Sequence, residues 1–115
     1  MKRVYVAYPY SDDPEKSKRV CRAACRQIVD EGNVPIPVQL FLEQFMCEES
    51  ERGTILNICT GLVAGCDELR LYYVEGEDLR ITPGMSAEID RACREGVTVT
   101  LGVVNPDDYP LKSIP

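Results

Sequence analysis

The ten residues "ITPGMSAEID", 81 to 90, set a proline and a glycine ahead of a run with helical spacing and place Glu88 inside it. With Thr82 as N-cap and Pro83 at the first helical position, the pattern predicts a helix over residues 83 to 95. Its apolar stripe is Met85, Ile89, Ala92, Cys93 and Gly96, with Glu88 at the margin, roughly 80° from the stripe's centre. Two readings of Glu88 stay open. So near a helix N-terminus the backbone dipole favours an ionised carboxylate, and an ionised, partly desolvated carboxylate in a cleft is suited to attack a glycosidic carbon. Otherwise Glu88 is a solvated charge, and Glu95 shares its margin.

Few other groups can do chemistry. The chain has no histidine, so proton transfer near neutral pH falls to carboxylate, thiol, tyrosine or lysine. Tyr5 lies in the first apolar run, Tyr8 and Tyr10 at its end, and Asp12 and Asp13 just beyond. The Tyr5 hydroxyl could donate to a carboxylate, or the residue could be a plain core aromatic. Asp12 and Asp13 suit helix N-caps. "YPYSDD" has no glycine, so neither a dinucleotide fingerprint nor a phosphate loop is present.

The elements that must position these groups alternate. "RVYVAY", residues 3 to 8, is β-branched and aromatic and is stopped by Pro9, which predicts a short buried strand. A helix is expected from about residue 14 to residue 31, with Val20, Ala24, Gln27 and Ile28 on one face, followed by "VPIPV" as an edge strand or loop. Residues 39 to 50 read as a short helix or ordered loop. A second long helix runs from about residue 51 to residue 65, with Ile55, Ile58, Cys59, Leu62 and Val63 on one face. "ELRLYYV" (68 to 74) and "VTVTLGVV" (97 to 104) flank the Glu88 helix as strands. This order predicts a three-layer α/β fold with a parallel sheet of four to five strands. Ligands of such sheets bind beyond the carboxyl ends of the strands.

The chain bounds what remains. Its 115 residues make one domain, 1 to 115. A net charge of −6 works against a nucleic-acid partner. The basic run Lys16, Lys18, Arg19, Arg22 and Arg26 is expected to be a solvated helix face. No apolar stretch approaches the roughly 18 residues that span a bilayer, so no membrane partner is expected. The start "MKRVYVAYPYSDD" turns acidic too early for a signal peptide, and a cytoplasmic location is expected. The six cysteines then read as reduced thiols, with no C-x-x-C and no zinc spacing. No metal or cofactor is expected.

The opening "RVYVAYPY", the stretch "GCDELRLYYV" and the block "ITPGMSAEID" together resemble a small bacterial and phage family of unknown function, the DUF4406 type, itself similar to nucleoside 2-deoxyribosyltransferases and deoxynucleotide N-glycosidases. The resemblance covers about residues 3 to 104 and implies a doubly wound, Rossmann-like or flavodoxin-like fold. It further implies that Glu88 is the nucleophile that attacks the anomeric carbon of a 2-deoxyribosyl group and that Tyr5 hydrogen-bonds it. Gly84 and Ser86 would form the close-approach turn. Tyr8, Pro9, Tyr10, Thr82, Gly84, Met85 and Ser86 are the substrate-binding residues expected on this basis. Thr82 and Cys59 stand where the transferases carry aspartates, and Asp67 reads as a structural residue opening a strand. The expected partner is a small nucleoside or nucleotide, with a homo-oligomer as the assembly. The expected activity is cleavage or transfer of its N-glycosidic bond; sensing of such a ligand without turnover, and a scaffold with a filled cleft and a salt-bridged Glu88, are the alternatives.

Overall fold

The structure is a computed structural model that describes residues 1–10 and 13–109. Asp12 lies outside the described residues, as does the tail beyond residue 109. Four parallel strands, β1 (Arg3–Ala7), β2 (Val34–Ile36), β3 (Glu68–Val74) and β4 (Thr98–Val104), lie in the order β2-β1-β3-β4. Between them run α1 (Pro14–Asp30), α2 (Val38–Leu42), α3 (Glu48–Ala64) and α4 (Pro83–Glu95), and a single 3-10 turn, Pro106–Asp108, follows β4. The fold is the three-layer α/β arrangement expected from the pattern. The chain steps outward from β1 to β2, then back across β1 to β3, so the carboxyl ends of β1 and β3 flank the point where winding reverses. That is where ligands of open parallel sheets bind.

The alternation of side chains along β1 decides which residues meet. Val4, Val6 and Tyr8 join the core under α1, with Val20, Ala24, Ile28 and Tyr72. Tyr5 and Ala7 point to the opposite face, into the core beneath α3 and α4, with Cys59, Val63, Leu69, Met85 and Ala92. Side chains two apart share a face and neighbours do not. Tyr5 and Tyr8 are therefore on different sides of the sheet.

Local chemistry sets the element ends. Asp13 caps α1 by accepting from the Lys16 N–H at 3.1 Å, ahead of Pro14. β2 is only three residues long, and Pro35 is tolerated because this strand is an edge that pairs with β1 alone. The region 39 to 50 resolves into α2 and a turn, and α3 starts at Glu48, earlier than its periodicity suggests, across a kink at Glu51 (φ −123°, ψ 21°). α4 ends on Gly96, whose φ of 72° is the left-handed conformation a glycine adopts at low cost. Cys93, expected on the apolar stripe of α4, is exposed, whereas Glu88 is buried. α3 packs against α4, and its Ile55, Leu56 and Cys59 line one cleft with Glu88. All six cysteines are free thiols.

On the α1 face a polar network ties β3 to β4 and to the helix. Arg70 donates to Glu68 at 2.7 Å and to Glu31 at 3.0 Å, Thr100 donates to Glu68 at 2.7 Å, and the Tyr72 hydroxyl donates to Gln27 at 2.8 Å. Gly102, opposite Tyr72 in the register, makes this packing possible. A Cβ at that position would fall 2.7 Å from the Tyr72 ring and 2.8 Å from Arg70 Cδ. Gly102→Ala is expected to lower the unfolding free energy by about 2 kcal/mol through overpacking, read as a lower urea midpoint at unchanged m-value. A wild-type midpoint would contradict the need for glycine there.

Candidate functional site

Glu88 is carried by the first two turns of α4. The Thr82 hydroxyl accepts from the Met85 N–H at 3.2 Å and the Thr82 carbonyl from the Ser86 N–H at 2.9 Å, so the helix starts as its capping residues dictate. Met85, Glu88 and Ala92 then form the buried line of the helix, with Glu88 only 7% exposed. Glu88 is the sixth helical residue, beyond the first turn over which the dipole acts. Burial dominates instead and pushes its carboxyl up to about 7, against a smaller opposing effect from a hydrogen bond with Tyr5. The helix dipole, expected from the sequence to favour the ionised form, is thus outweighed by burial, and near neutral pH Glu88 is poised between its charged and neutral forms.

Tyr5 is enclosed beneath the carboxylate, 1% exposed. Its phenol is raised well above its usual range by burial first and then by the Glu88 carboxylate and the Cys59 thiol, which lie close to its hydroxyl. The phenol therefore stays protonated and can donate. The Cys59 thiol is likewise raised by burial, with the Tyr5 hydrogen bond opposing. Loss of the phenol should remove the one partner that favours ionised Glu88. Tyr5→Phe is expected to raise the Glu88 titration midpoint by about one pH unit, measured by carbon NMR of labelled glutamate side chains; an unchanged or lower midpoint would contradict it.

Above these residues opens a cleft of about 640 Å³ between α2, α3 and the start of α4. That volume suits a ligand of nucleoside size. Of the residues expected to bind substrate, Tyr10, Thr82, Gly84 and Met85 line this cleft together with Glu88. Gly84 is not required by the fold, since a Cβ there would meet only Thr82 Oγ1 at 3.9 Å. Tyr8 and Pro9 are not in the cleft. Strand alternation turns Tyr8 to the α1 face, and both residues line a second, separate cavity of about 250 Å³ with Lys16, Ser17 and Glu77. Ser86 is exposed and lines neither cavity.

Several cleft residues carried no distinctive sequence signal. Gln39 and Glu43 stand four apart on α2 and its end, in the stretch whose secondary structure the pattern leaves open. Glu43 accepts from Tyr10 Oη at 3.3 Å and pairs with Lys18 Nζ at 3.3 Å. Arg52 pairs loosely with Glu48 at 3.7 Å. Cys59 and the apolar Leu42, Met46, Ile55 and Leu56 complete the walls. Asp67 lies at the other end of the sheet, where its carboxylate accepts from the Arg3 N–H at 2.8 Å, a structural role. Among the described residues no group of three or more acidic or cysteine side chains is placed to hold a metal ion. No helix among them is long and apolar enough to cross a membrane.

A buried carboxylate with a donating phenol beneath it and an open cleft above can act as a nucleophile or as a proton carrier. No curated protein matches the chain. The family model described as a domain of unknown function (DUF7768) matches residues 2–101, and the chain belongs to that family.

Proposed function

We propose that this protein cleaves or transfers the N-glycosidic bond of a deoxynucleoside or deoxynucleotide, with Glu88 as nucleophile. The observation that carries the reading is Glu88 itself: a buried carboxylate, with the Tyr5 phenol close by, on the floor of a nucleoside-sized cleft at the switch point of the sheet. The resemblance to the DUF4406 type and to the deoxyribosyltransferases supports the same chemistry. A Glu88 oxygen forms a bond to C1′ as the C1′–N bond breaks. The base leaves with the electron pair and takes a proton from water. Water or a second base then attacks C1′ and releases the carboxylate, the two-step course of retaining glycosidases. Only ionised Glu88 can begin it.

Incubation with deoxynucleosides and their 5′-monophosphates, with and without an acceptor base, tests the reading by chromatography of free and exchanged base. Release of base that is lost in Glu88→Gln is the expected result; no release from any of them would overturn it. A second reading, binding of a nucleoside-like ligand without turnover, is favoured by the protonated fraction of Glu88 at neutral pH. It predicts a ligand that raises the melting temperature equally in the Glu88→Gln variant and is recovered intact. A scaffold role has less support, because the cleft is open and no cation among the described residues pairs with Glu88.

The exposed Phe41 and Phe45, whose rings stack edge-to-face at 5.2 Å, and the exposed Leu56 and Leu62 on α3 support assembly into a homo-oligomer. A cytoplasmic site of action completes the proposal.

A further inference from the structure

β2 and β4 are the two edges of the sheet, and they are built differently. β2 is three residues long and carries Pro35, which has no N–H to offer. Short length and proline both discourage a further strand from pairing. β4 is seven residues long, Thr98–Val104, with no proline and no charged side chain, and among the described residues it pairs with β3 alone. An edge of that length and composition is a template for another strand.

The register shows which of its backbone groups are unused. In a parallel ladder, alternate residues turn both N–H and C=O to the same neighbour. The Val104 carbonyl accepts from the Glu75 N–H at 3.1 Å, on the β3 side. Thr98, Thr100 and Gly102 therefore face β3 with it, and Val99, Leu101 and Val103 turn their backbone groups outward. Of these outward groups, the Val103 carbonyl accepts from Gln27 Nε2 at 3.0 Å. The side chains alternate as well. Val99 packs against the cluster beneath α4, and Leu101 and Val103 share its face of the sheet yet stay 61% and 44% exposed. After Val104 the chain turns toward α1, where Asp107 pairs with Arg19 at 3.2 Å and Tyr109 packs on the core beneath that helix. Up to Tyr109 it does not return over the edge.

We propose that β4 pairs antiparallel with β4 of a second copy of this chain, joining the two sheets into one about a two-fold axis at Leu101. The proposal does not rest on the glycosidic reading, and it uses a surface separate from the Phe41–Phe45 pair on α2 and the turn after it. Two features select a second copy over a foreign peptide. A peptide added to a sheet edge is read by pockets for its alternate side chains, and neither cavity of the structure reaches β4. The strand also matches itself. With Leu101 on the axis, Leu101 meets Leu101 and Val99 meets Val103 on one face, while Gly102 meets Thr100 on the other, and about four to six backbone hydrogen bonds form. Copies of a chain that carries a net charge of −6 repel each other, and this strand lets their backbones meet with no charge between them. Antiparallel pairing closes as a dimer, whereas a head-to-tail contact would leave the assembly open.

Sedimentation equilibrium and amide hydrogen exchange on the full chain test this. Wild type is expected to sediment at twice the chain mass of 12.9 kDa or more and to dissociate on dilution. In the associated protein the amides of Val99, Leu101 and Val103 are expected to exchange at least about tenfold more slowly than after dilution. Those of Thr98, Thr100 and Gly102, bonded to β3, should be slow in both. Leu101→Lys sets like charges opposite each other at the axis and, because the side chain is exposed, should fold normally but fail to pair through β4. Val103→Lys is expected to act in the same way and carries the comparison should Leu101→Lys not fold. Replacing both Phe41 and Phe45 with serine should leave the concentration-dependent protection of β4 unchanged. A wild type that stays monomeric, outward amides of β4 whose exchange does not depend on concentration, or association and protection unaltered in the lysine variants would each overturn the proposal.

Discussion

Replacing Glu88 with glutamine is expected to lower kcat/KM for release of base by at least about a thousand-fold, which corresponds to about 4 kcal/mol of lost transition-state stabilisation. Glutamine has nearly the same volume as glutamate, and its amide oxygen can still accept from the Tyr5 hydroxyl, so the cleft should keep its shape. What it lacks is the negative charge. An amide is a far poorer nucleophile than a carboxylate, and the other carboxylates that line the cleft are paired with cations, Glu43 with Lys18 and Glu48 with Arg52. Steady-state kinetics on the variant checks this, with a normal circular-dichroism spectrum as the control for folding. A variant retaining more than a tenth of wild-type turnover would remove Glu88 from the chemistry.

The same substitution should raise stability at alkaline pH. Folding lifts the Glu88 carboxyl from its ordinary 4.5 to about 7, and a shift of that size is worth about 3 kcal/mol. The native state binds this proton more tightly than the unfolded chain does. Unfolding free energy therefore falls as pH rises from about 4.5, and the loss is complete once the pH is above about 7. The chain has no histidine, so no imidazole titrates in that window to mask the effect. Glu68 acts in the opposite sense and lower down. Burial works against its charge, but the hydrogen bonds from Arg70 and Thr100 prevail and hold it below its usual range, so its contribution is present at neutral pH and lost in acid. Urea titrations of wild type and Glu88→Gln at pH 5 and pH 8 separate the two. The curves should nearly coincide at pH 5, and at pH 8 the variant should be more stable by about 3 kcal/mol. Equal stabilities at both pH values would mean that Glu88 is solvated.

The cost has its physical origin in burial. A carboxyl that meets α3, Tyr5 and an apolar cluster loses hydration that one hydrogen bond only partly replaces. A purely structural position at that point of α4 would be filled by an apolar residue, as Met85 and Ala92 are.

Residue patterns announced the alternation of strands and helices and the Thr82 cap, because each follows from short-range geometry; the approach of Tyr5 to Glu88 joins distant elements and was expected only from the family resemblance. Strand alternation also contained the separation of Tyr8 from Tyr5, which proximity in sequence obscured. Other features depend on packing between distant elements. The margin of a helical wheel does not reveal that α3 packs against α4 beside it, so the burial of Glu88 and the upward shift of its carboxyl were not legible. Glu43 and Gln39 enter the site because α2 is held over the carboxyl end of β1, where Gln39 donates to the Tyr8 carbonyl at 3.0 Å. Ser86 shares the turn with Gly84 but points outward, since helical residues two apart differ by about 200° in direction.

The central claim is that Glu88 attacks C1′, and the covalent intermediate tests it most directly. Wild-type protein is mixed with a deoxynucleoside that releases base, quenched in acid within the first turnovers, and digested for mass spectrometry. One deoxyribosyl group on the peptide that contains Glu88 is the predicted result, absent from the Glu88→Gln variant. Base release with no adduct on that peptide, or with an adduct on another residue, would contradict the account.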